Sequence, residues 1–410
     1  MAQVKTGKAS VVKGINTKNI LEIIRKKGPI SRIEIAELTG LTPATISNIT
    51  SELIDKRIIM EAEAGDSSGG RKPIMLRIRC DYYRVIGVYL GSRKIKIITS
   101  DMMANIKYKK EIRYEKEPVT VEYVTDVLEK ELTPLIKKYE VKGKKVVGIG
   151  IGIHGLVDSN NGISLIAPNL GWKNVNIADI IYEKHKIPVF VDNNTRTMAL
   201  GEKWFGTGKN VSSFFCLNIE YGVGGSFFAD GKPMAGASFG AGEIGHTTVD
   251  INGEVCSCGN RGCLETVASV KALLKQAYNQ YESNKDSKVF LGKEINSIND
   301  INPDDVFEAA KEGDAFAISL IRKMGENIGL GIANVINMLN PELIIINGGI
   351  ITTGEMLLTP IIESVRNHSF SSSVNSTGIV LSKLGNVAYL KGAVVLATQH
   401  IFDNPEMINI

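Results

Sequence analysis

Three of the chain's five cysteines fall within eight residues, and a histidine lies ten residues before the first of them. Three thiolates and one imidazole are a standard tetrahedral ligand set for structural Zn²⁺. Two glycines, Gly259 and Gly262, allow the backbone to turn tightly around an ion. The sequence therefore predicts a zinc site with four ligands: His246, Cys256, Cys258 and Cys263.

The alternative is a tight turn with reduced, non-ligating thiols, but clustered cysteines with a paired histidine favour a metal. A bound ion would fix the loop that carries it. Glu243 and Glu265 flank the four ligands on either side. Groups that a metal site holds in place are well suited to recognising a polar ligand. We therefore expect this loop to present two carboxylates.

The 410 residues suffice for two or three domains with a buried core. No apolar run approaches the ~20 residues of a membrane span, and the first residues do not lead into a signal peptide. The cysteines are clustered and form no disulfide framework. These features predict a cytoplasmic protein without a membrane segment.

The charge is unevenly distributed along the chain. Residues 1–80 contain 14 Lys and Arg against 8 Asp and Glu, whereas the other 330 residues contain 34 against 36. A basic N-terminal module on a slightly acidic body indicates that this end of the chain meets a polyanion.

The basic module reads as a helix-turn-helix. After a first amphipathic helix over residues 16–27, Ser31 and Glu34 form a capping box for a second helix, which Gly40 ends. A third helix begins at Thr42, with a proline at its first position. Small hydroxyls and an amide near its N-terminus suit base edges and phosphates in the major groove. The predicted DNA-contacting residues of this helix are Thr42, Thr45, Ser47, Asn48 and Ser51.

Two short apolar strands follow, joined by a glycine-rich turn that carries Arg71 and Lys72. This is the pattern of a wing whose two cations reach a phosphate or the minor groove. A helical protein-interaction module with a solvated basic turn is the alternative. The caps, the turn, the wing and the charge together favour a winged helix-turn-helix over residues 1–80.

Beyond this module, glycine-punctuated strands alternate with helices, which predicts an α/β body with ligands at strand ends. We expect one lobe over residues 81–200 and a second over 201–410, whose last segment returns to the first lobe. Residues 284–305 read as a surface loop. A long helix spans Ala315–Leu339, and its glycines would allow close packing against a partner helix. We expect the homodimer interface to use this helix.

Several motifs together resemble the ROK family of sugar kinases and sugar-responsive repressors. They are the wing S-S-G-G-R-K-P, A-P-N-L-G-W, E-I-G-H, C-S-C-G-N-R-G-C-L-E and N-P-E-L-I-I-I-N-G-G. The resemblance covers essentially the whole chain and implies a two-lobed hexokinase/actin-like fold. Within the family, an N-terminal winged helix marks the repressors, and the xylose repressors of Gram-positive bacteria are the most similar group.

The resemblance also implies a set of sugar-binding residues. Carboxylates and amides suit a sugar because its hydroxyls both donate and accept hydrogen bonds. Trp172 would either stack on a sugar face or belong to the core. The sugar-binding residues implied are Asn169, Asn193, Asn194, Glu243, His246 and Glu265.

Departures from the kinase pattern indicate that no phosphoryl transfer takes place. Asn194 stands where the kinases have the aspartate that acts as general base, and an amide cannot do so. Tyr89 replaces the Mg²⁺-associated aspartate of the first phosphate loop. Glu220 and Tyr221 occupy the second phosphate loop, where a carboxylate would repel a triphosphate.

We therefore expect a sugar-responsive repressor that binds operator DNA as a homodimer, with D-xylose or D-glucose bound between the lobes. A sugar kinase with an appended DNA-binding domain and a DNA-binding scaffold with an inactive sugar site are the two alternatives. The broken phosphate loops disfavour the kinase. The retained Asn193, Glu243 and Glu265 disfavour the scaffold.

Overall fold

The computed structural model describes residues 9–63, 73–115 and 119–408, and the contacts within it divide the chain into two compact units. The first unit consists of residues 1–192 and 393–410, and the second consists of residues 193–392. Within the described ranges, no helix combines the length and the apolar character that crossing a membrane requires.

The first unit begins with the predicted winged helix-turn-helix. Its second helix has the expected capping box between Ser31 and Glu34, and Gly40 ends it in the left-handed conformation. The side chain of Thr42 caps the third helix by accepting from the Thr45 amide. The elements are α1 (Ala9–Lys27), β1 (Ile30–Ser31), α2 (Arg32–Thr39), α3 (Pro43–Asp55), β2 (Ile59–Ala62) and β3 (Met75–Ile78).

A three-stranded sheet and a shared core hold these helices together. β3 lies between β1 and β2 and pairs antiparallel with both. Burying a large aliphatic side chain contributes about 1.5–3 kcal/mol, so this small core relies on many of them. α1 begins at Ala9, earlier than the sequence predicts. The fully buried aliphatic residues include Ile20, Leu21, Ile35, Ile46, Leu53 and Leu76.

The rest of the first unit is an α/β layer. Its five-stranded sheet has the order β11-β7-β4-β5-β6, and β4 pairs parallel with β7 and antiparallel with β5. A small sheet of β8, β9 and β10 follows β7. The elements are β4 (Tyr83–Leu90), β5 (Lys94–Ser100), β6 (Ile106–Arg113), α4 (Val121–Val141), β7 (Lys145–Ile153), β8 (Leu156–Asp158), β9 (Ile163–Ala167), β10 (Trp172–Val175), α5 (Ile177–His185) and β11 (Val189–Asn193).

The second unit also has a five-stranded sheet, with the order β14-β13-β12-β15-β16. β15 pairs parallel with β12 and β16, and β13 pairs antiparallel with β12. The elements are α6 (Asn194–Phe205), β12 (Phe214–Ile219), β13 (Val223–Ala229), β14 (Lys232–Pro233), α7 (Glu265–Ala268), α8 (Val270–Asn279), α9 (Pro303–Lys311), α10 (Ala315–Leu339), β15 (Leu343–Asn347), α11 (Glu355–His368), α12 (Ser371–Ser376), β16 (Gly378–Leu381) and α13 (Ala388–Asp403).

The division between the units differs from the expected boundary at residue 200. It falls between Asp192 and Asn193, because α6 packs against β12 and β13. α13 begins in the second unit and continues into the first, since Gly392 is grouped with one unit and Ala393 with the other. A Cβ at Gly150 in β7 would lie 1.7 Å from the Ala393 carbonyl oxygen, so only glycine allows this approach.

The glycines of α10 serve packing within the chain. A Cβ at Gly325 would lie 2.7 Å from Cγ of Pro360, and one at Gly329 would lie 2.5 Å from Cβ of Ser364. Both neighbours belong to α11, so the glycines of α10 allow close packing against α11 of the same chain. The homodimer contact expected for this helix stays a prediction, and it would use another face of α10.

The stretch over residues 284–305 is more ordered than a surface loop. Val289, Phe290 and Ile301 are buried in it and contribute to the core of the second unit. Asn302 and the proline after it begin α9 with a capping box. Isolated apolar anchors among polar residues have no helical or strand period, which is why the sequence pattern did not reveal them.

Candidate functional site

The four predicted metal ligands converge in one cluster in the second unit. Their ligand atoms, from His246, Cys256, Cys258 and Cys263, all lie within 4.8 Å of one another. The sulfurs of Cys258 and Cys263 are 3.7 Å apart, and Sγ of Cys256 lies 3.6 Å from Nδ1 of His246. Four ligands around a Zn²⁺ with Zn–S bonds of about 2.3 Å have similar separations. The cluster therefore fits a four-coordinate metal ion.

The backbone of the loop is closed by its own hydrogen bonds. The Cys256 amide donates to the Asn260 carbonyl oxygen at 2.7 Å. Gly259 and Gly262 have positive φ angles of 93° and 70°, as the tight turns require. A Cβ at Gly262 would lie 1.5 Å from the carbonyl oxygen of Asp250. The two glycines are therefore part of what brings the ligands together.

The thiols differ in how readily they ionise. A hydrogen bond from the Asn260 backbone lowers the pKa of the Cys258 thiol, which favours the thiolate that binds metals. Burial raises the pKa of the Cys263 thiol to about 12. A bound cation favours the thiolate and would offset that burial.

The two predicted carboxylates lie beside this cluster. Glu265 opens α7, and its Oε2 accepts from the Val223 amide at 2.9 Å, which ties it to the start of β13. Oε2 of Glu243 lies 4.0 Å from Nε2 of His246. Since Nδ1 of the same imidazole faces Cys256, His246 connects the cysteines to the carboxylates.

A buried arginine, Arg196, accompanies these carboxylates and was not identified from the sequence. It lies in the first turn of α6, is 2 % exposed, and donates to the Phe239 carbonyl oxygen at 2.9 Å. Burial raises the pKa of Glu243, the charges of His246 and Arg196 lower it, and Glu265 raises it. The burial of Arg196 could have been inferred from the sequence, because it is a cation among the small and apolar residues of N-T-R-T-M-A-L-G.

The adjacent asparagines have different surroundings. Asn193 is the N-cap of α6, and its Oδ1 accepts from the backbone amides of Thr195 and Arg196 and from the Thr195 hydroxyl. Asn194 is the first residue of α6 and is half-buried. The carbonyl oxygen of the Asn193 side chain is therefore already used in positioning the helix.

Asn169 and Trp172 belong to the first unit. Asn169 is exposed on a 3-10 turn over Pro168–Leu170. Trp172 is 4 % exposed and its Nε1 donates to the Val119 carbonyl oxygen at 3.1 Å. Trp172 is therefore a core residue and has no face free to stack on a sugar.

Glu220, in the stretch that resembles the second phosphate loop of the ROK kinases, hydrogen-bonds to a glycine turn of the same unit. Glu220 follows β12, and its Oε1 accepts from the Gly349 amide at 3.2 Å. Gly348 and Gly349 follow β15, which is the neighbouring strand. Glu220 therefore uses the Gly349 amide and places at this turn a carboxylate that would repel an anionic ligand.

The winged helix presents most of the predicted DNA contacts to solvent. In α3, Ile46, Ile49 and Leu53 are buried, whereas Ile54 is half-buried. Thr45 is half-buried with its hydroxyl 2.9 Å from that of Thr42. Arg71 and Lys72 lie outside the described residues. The exposed residues are Thr42, Ser47, Asn48 and Ser51.

Comparison with known proteins places the two parts of the chain. Residues 85–400 match the ROK family, and residues 15–60 match a winged helix-turn-helix DNA-binding domain. The chain belongs to the ROK family. It is 35 % identical over 404 residues to the xylose repressor of Caldicellulosiruptor bescii, which covers 98 % of this chain and 99 % of that protein.

Two further proteins are similar over nearly the full length of the chain. The N-acetylglucosamine repressor of an Escherichia coli strain is 30 % identical over 411 residues, covering 98 % of this chain and 99 % of that protein. A solved ROK family transcriptional regulator, described as a homologue of the E. coli MLC protein, superimposes with a TM-score of 0.86 at 32 % identity and covers 97 % of this chain and 99 % of its own. These matches confirm the predicted fold, a winged helix-turn-helix followed by a ROK body.

Proposed function

We propose that this ROK protein is a sugar-responsive transcriptional repressor without catalytic activity. The observation that carries the proposal is the combination, in one chain, of an exposed, well-capped α3 with two carboxylates held beside a cluster of three cysteines and a histidine. The full-length similarity to repressors named for sugars supports it. Glu220, bound to the Gly349 amide, argues against the sugar kinase alternative.

The proposed effector is a neutral monosaccharide. Its hydroxyls would donate to Glu243 and Glu265, and a site with buried polar groups rejects analogues that leave those groups unpaired. D-Xylose is the first candidate, and D-glucose and N-acetylglucosamine are the alternatives. The proposed contacts in the second unit are Asn193, Asn194, Glu243, His246 and Glu265. The sugar contact expected of Asn169 stays a prediction.

The proposed metal is a structural Zn²⁺ held by His246, Cys256, Cys258 and Cys263. The distances between their ligand atoms support a closed tetrahedral site, which leaves no position for water or substrate. Bound there, the ion would contribute its binding energy to folding. Contacts within the protein also hold the two carboxylates in place. Glu265 accepts a hydrogen bond from the Val223 amide, and Glu243 lies next to His246.

The proposed DNA complex is a two-fold symmetric dimer on a palindromic operator. A single winged helix contacts too little DNA for high affinity, and paired half-sites solve this problem. Exposed apolar side chains near the end of α10 support a dimer contact away from the glycine face. Met338 is 81 % exposed and Phe370 is 69 % exposed, and the Phe370 amide donates to Oδ1 of Asn337.

Calorimetric titration of the full-length protein with the three sugars tests the proposal. We expect one sugar to bind and to change operator affinity in a gel-shift assay, and D-xylose is the sugar we expect. A coupled assay with ATP and the same sugars should show no turnover. Turnover would support the kinase, and failure of all three sugars to bind or to affect DNA would support the DNA-binding scaffold.

A further inference from the structure

Strands β5 and β6 place four cations on one face of the first unit's sheet. Successive residues of a strand point to opposite faces, so alternate residues share a face. The antiparallel register pairs Lys94 with Arg113, Lys96 with Glu111 and Ile98 with Lys109. We call this the basic face, and its cations are Lys94, Lys96, Lys109 and Arg113.

The opposite face of β6 is covered by the body of the unit. Tyr108 and Ile112 pack against the core that contains the apolar side of α4. Lys110 points the same way, since its Nζ lies 2.6 Å from Oε1 of Glu131 in α4. The basic face is therefore the side of β6 that is turned away from α4, and Lys109 and Arg113 are exposed on it.

Acidic groups neutralise only part of the basic face. Glu111 lies 2.8 Å from Nζ of Lys94 and 3.9 Å from Nζ of Lys96, so these two lysines share one carboxylate. In the described part of the chain, no carboxylate lies within 4.0 Å of Lys109 or Arg113. The face therefore keeps a net positive charge.

Protection of a sheet edge accounts for only part of this pattern. Edge strands often carry lysine to prevent pairing with another chain, and β6 is an edge strand. β5 is an interior strand, yet it adds Lys94 and Lys96 to the same face. Lys96 is held there although it is only 7 % exposed, with its Nζ 5.9 Å from the centre of the Tyr89 ring.

The basic face continues towards the wing. Lys107 lies where the pairing of β5 and β6 is irregular, and its Nζ is 4.0 Å from Oδ2 of Asp101. Asp101 follows Ser100, which pairs with Val85 in β4. The neighbouring Arg84 donates to the Cys80 carbonyl oxygen at 3.0 Å, so Lys107 lies at the end of the sheet that adjoins β3. Arg77 is exposed on β3, the second strand of the wing.

We propose that the basic face binds the phosphate backbone of duplex DNA that flanks the operator. The proposal rests on the proposed function, because the winged helix of the same unit would bring the DNA. Lys109 and Arg113 are four residues apart on a strand, or about 13 Å, so they would meet separate phosphates. Ile98 is buried on this face and the exposed residues are charged, which suits DNA better than an acidic protein, whose interface would have an apolar core.

Operator fragments of two lengths test this proposal. The operator is selected from random duplexes with the full-length protein and is placed in a duplex of about 25 base pairs, which just covers two half-sites. The second duplex adds about 20 base pairs of random sequence at each end, beyond the reach of the half-sites. Binding is measured as a function of salt for the wild type, for K109Q/R113Q and for the control K130Q/K137Q. The control removes two exposed lysines of α4 and so changes the net charge equally.

We expect the wild type to bind the long duplex about tenfold more tightly than the short one, with a steeper salt dependence. K109Q/R113Q should lose this gain and about 1.8 units of the salt slope per protomer on the long duplex, while the control keeps both. On the short duplex all three proteins should bind alike, which shows that the winged helix still functions. The proposal is overturned if the wild type gains nothing from the flanks, if K109Q/R113Q keeps the gain, or if the control loses it equally.

Discussion

Glutamates in two parts of the second unit differ in whether their oxygens remain available to a ligand. Glu243 and Glu265 lie beside the cysteine and histidine cluster, and the side chain of Glu243 is 38 % exposed. Glu220 instead accepts from the Gly349 amide, in the region that resembles the phosphate loops of the ROK kinases. The first arrangement leaves acceptor oxygens for a ligand, whereas the second uses a carboxylate to close a glycine turn.

The difference follows from the charge of the two ligands. A neutral sugar gains hydrogen bonds from a carboxylate and suffers no repulsion. A triphosphate near Glu220 would meet a like charge and would also lose the Gly349 amide. A glutamate therefore suits the proposed sugar contacts and disfavours phosphate at the turn that contains Gly349.

Removal of one ligand of the proposed zinc site, which lies beside the proposed sugar contacts, should have the largest effect. Cys258 is exposed, so Cys258→Ser removes a ligand without disturbing the core. We expect loss of the ion and a fall in the free energy of unfolding of about 4 kcal/mol or more, since a folded loop depends on it. Cys80→Ser removes a thiol outside the cluster and should keep the metal. Elemental analysis and thermal unfolding measure both, and zinc-free wild type purified without chelator would contradict this prediction.

Glu243→Gln should have the next largest effect, on sugar affinity. The substitution keeps the shape but turns one acceptor oxygen into a donor, and we expect a loss of roughly a hundredfold, or about 2.7 kcal/mol. Operator affinity without sugar should be unchanged. Glu308→Gln, on the exposed side of α9 in the same unit, is the matched control. Calorimetry and gel shifts measure the two affinities, and a normal sugar response of Glu243→Gln would count against its role.

Glu220→Ala tests the glycine turn that contains Gly349 and should lower the stability of the protein. It leaves the Gly349 amide without its acceptor, which should lower the free energy of unfolding by about 1–2 kcal/mol. Glu220→Gln keeps an acceptor oxygen and should cost much less. Urea unfolding distinguishes the two variants. Equal stability of both would show that the contact contributes nothing to the glycine turn.

Asn194→Asp should have the smallest effect. It restores the carboxylate that acts as general base in the kinases, yet Glu220 still occupies the glycine turn. We expect no turnover with ATP in a coupled assay with D-xylose or D-glucose. Measurable phosphorylation by this single variant would show that a triphosphate can bind despite Glu220, and the role given to Glu220 would be wrong.

Features set by neighbouring residues could be predicted from the sequence. The caps at Ser31 and Thr42 and the bounds of α10 depend on local propensity, and the structure confirms them. The cysteine cluster was predictable because metal ligands have characteristic spacings and chemistry. The Glu220–Gly349 hydrogen bond joins residues 129 positions apart, so no local pattern could reveal it. The role of Trp172 was open for the same reason, since its partner Val119 lies in another segment.

We propose that sugar binding beside the cysteine and histidine cluster controls DNA binding. Titration of the full-length protein with D-xylose, with and without saturating operator, tests this coupling. If the sugar weakens operator binding a hundredfold, the coupling is about 2.7 kcal/mol, and linkage requires the operator to weaken sugar binding by the same factor. We predict such an equal and reciprocal loss. A sugar affinity that is identical with and without operator would contradict the claim.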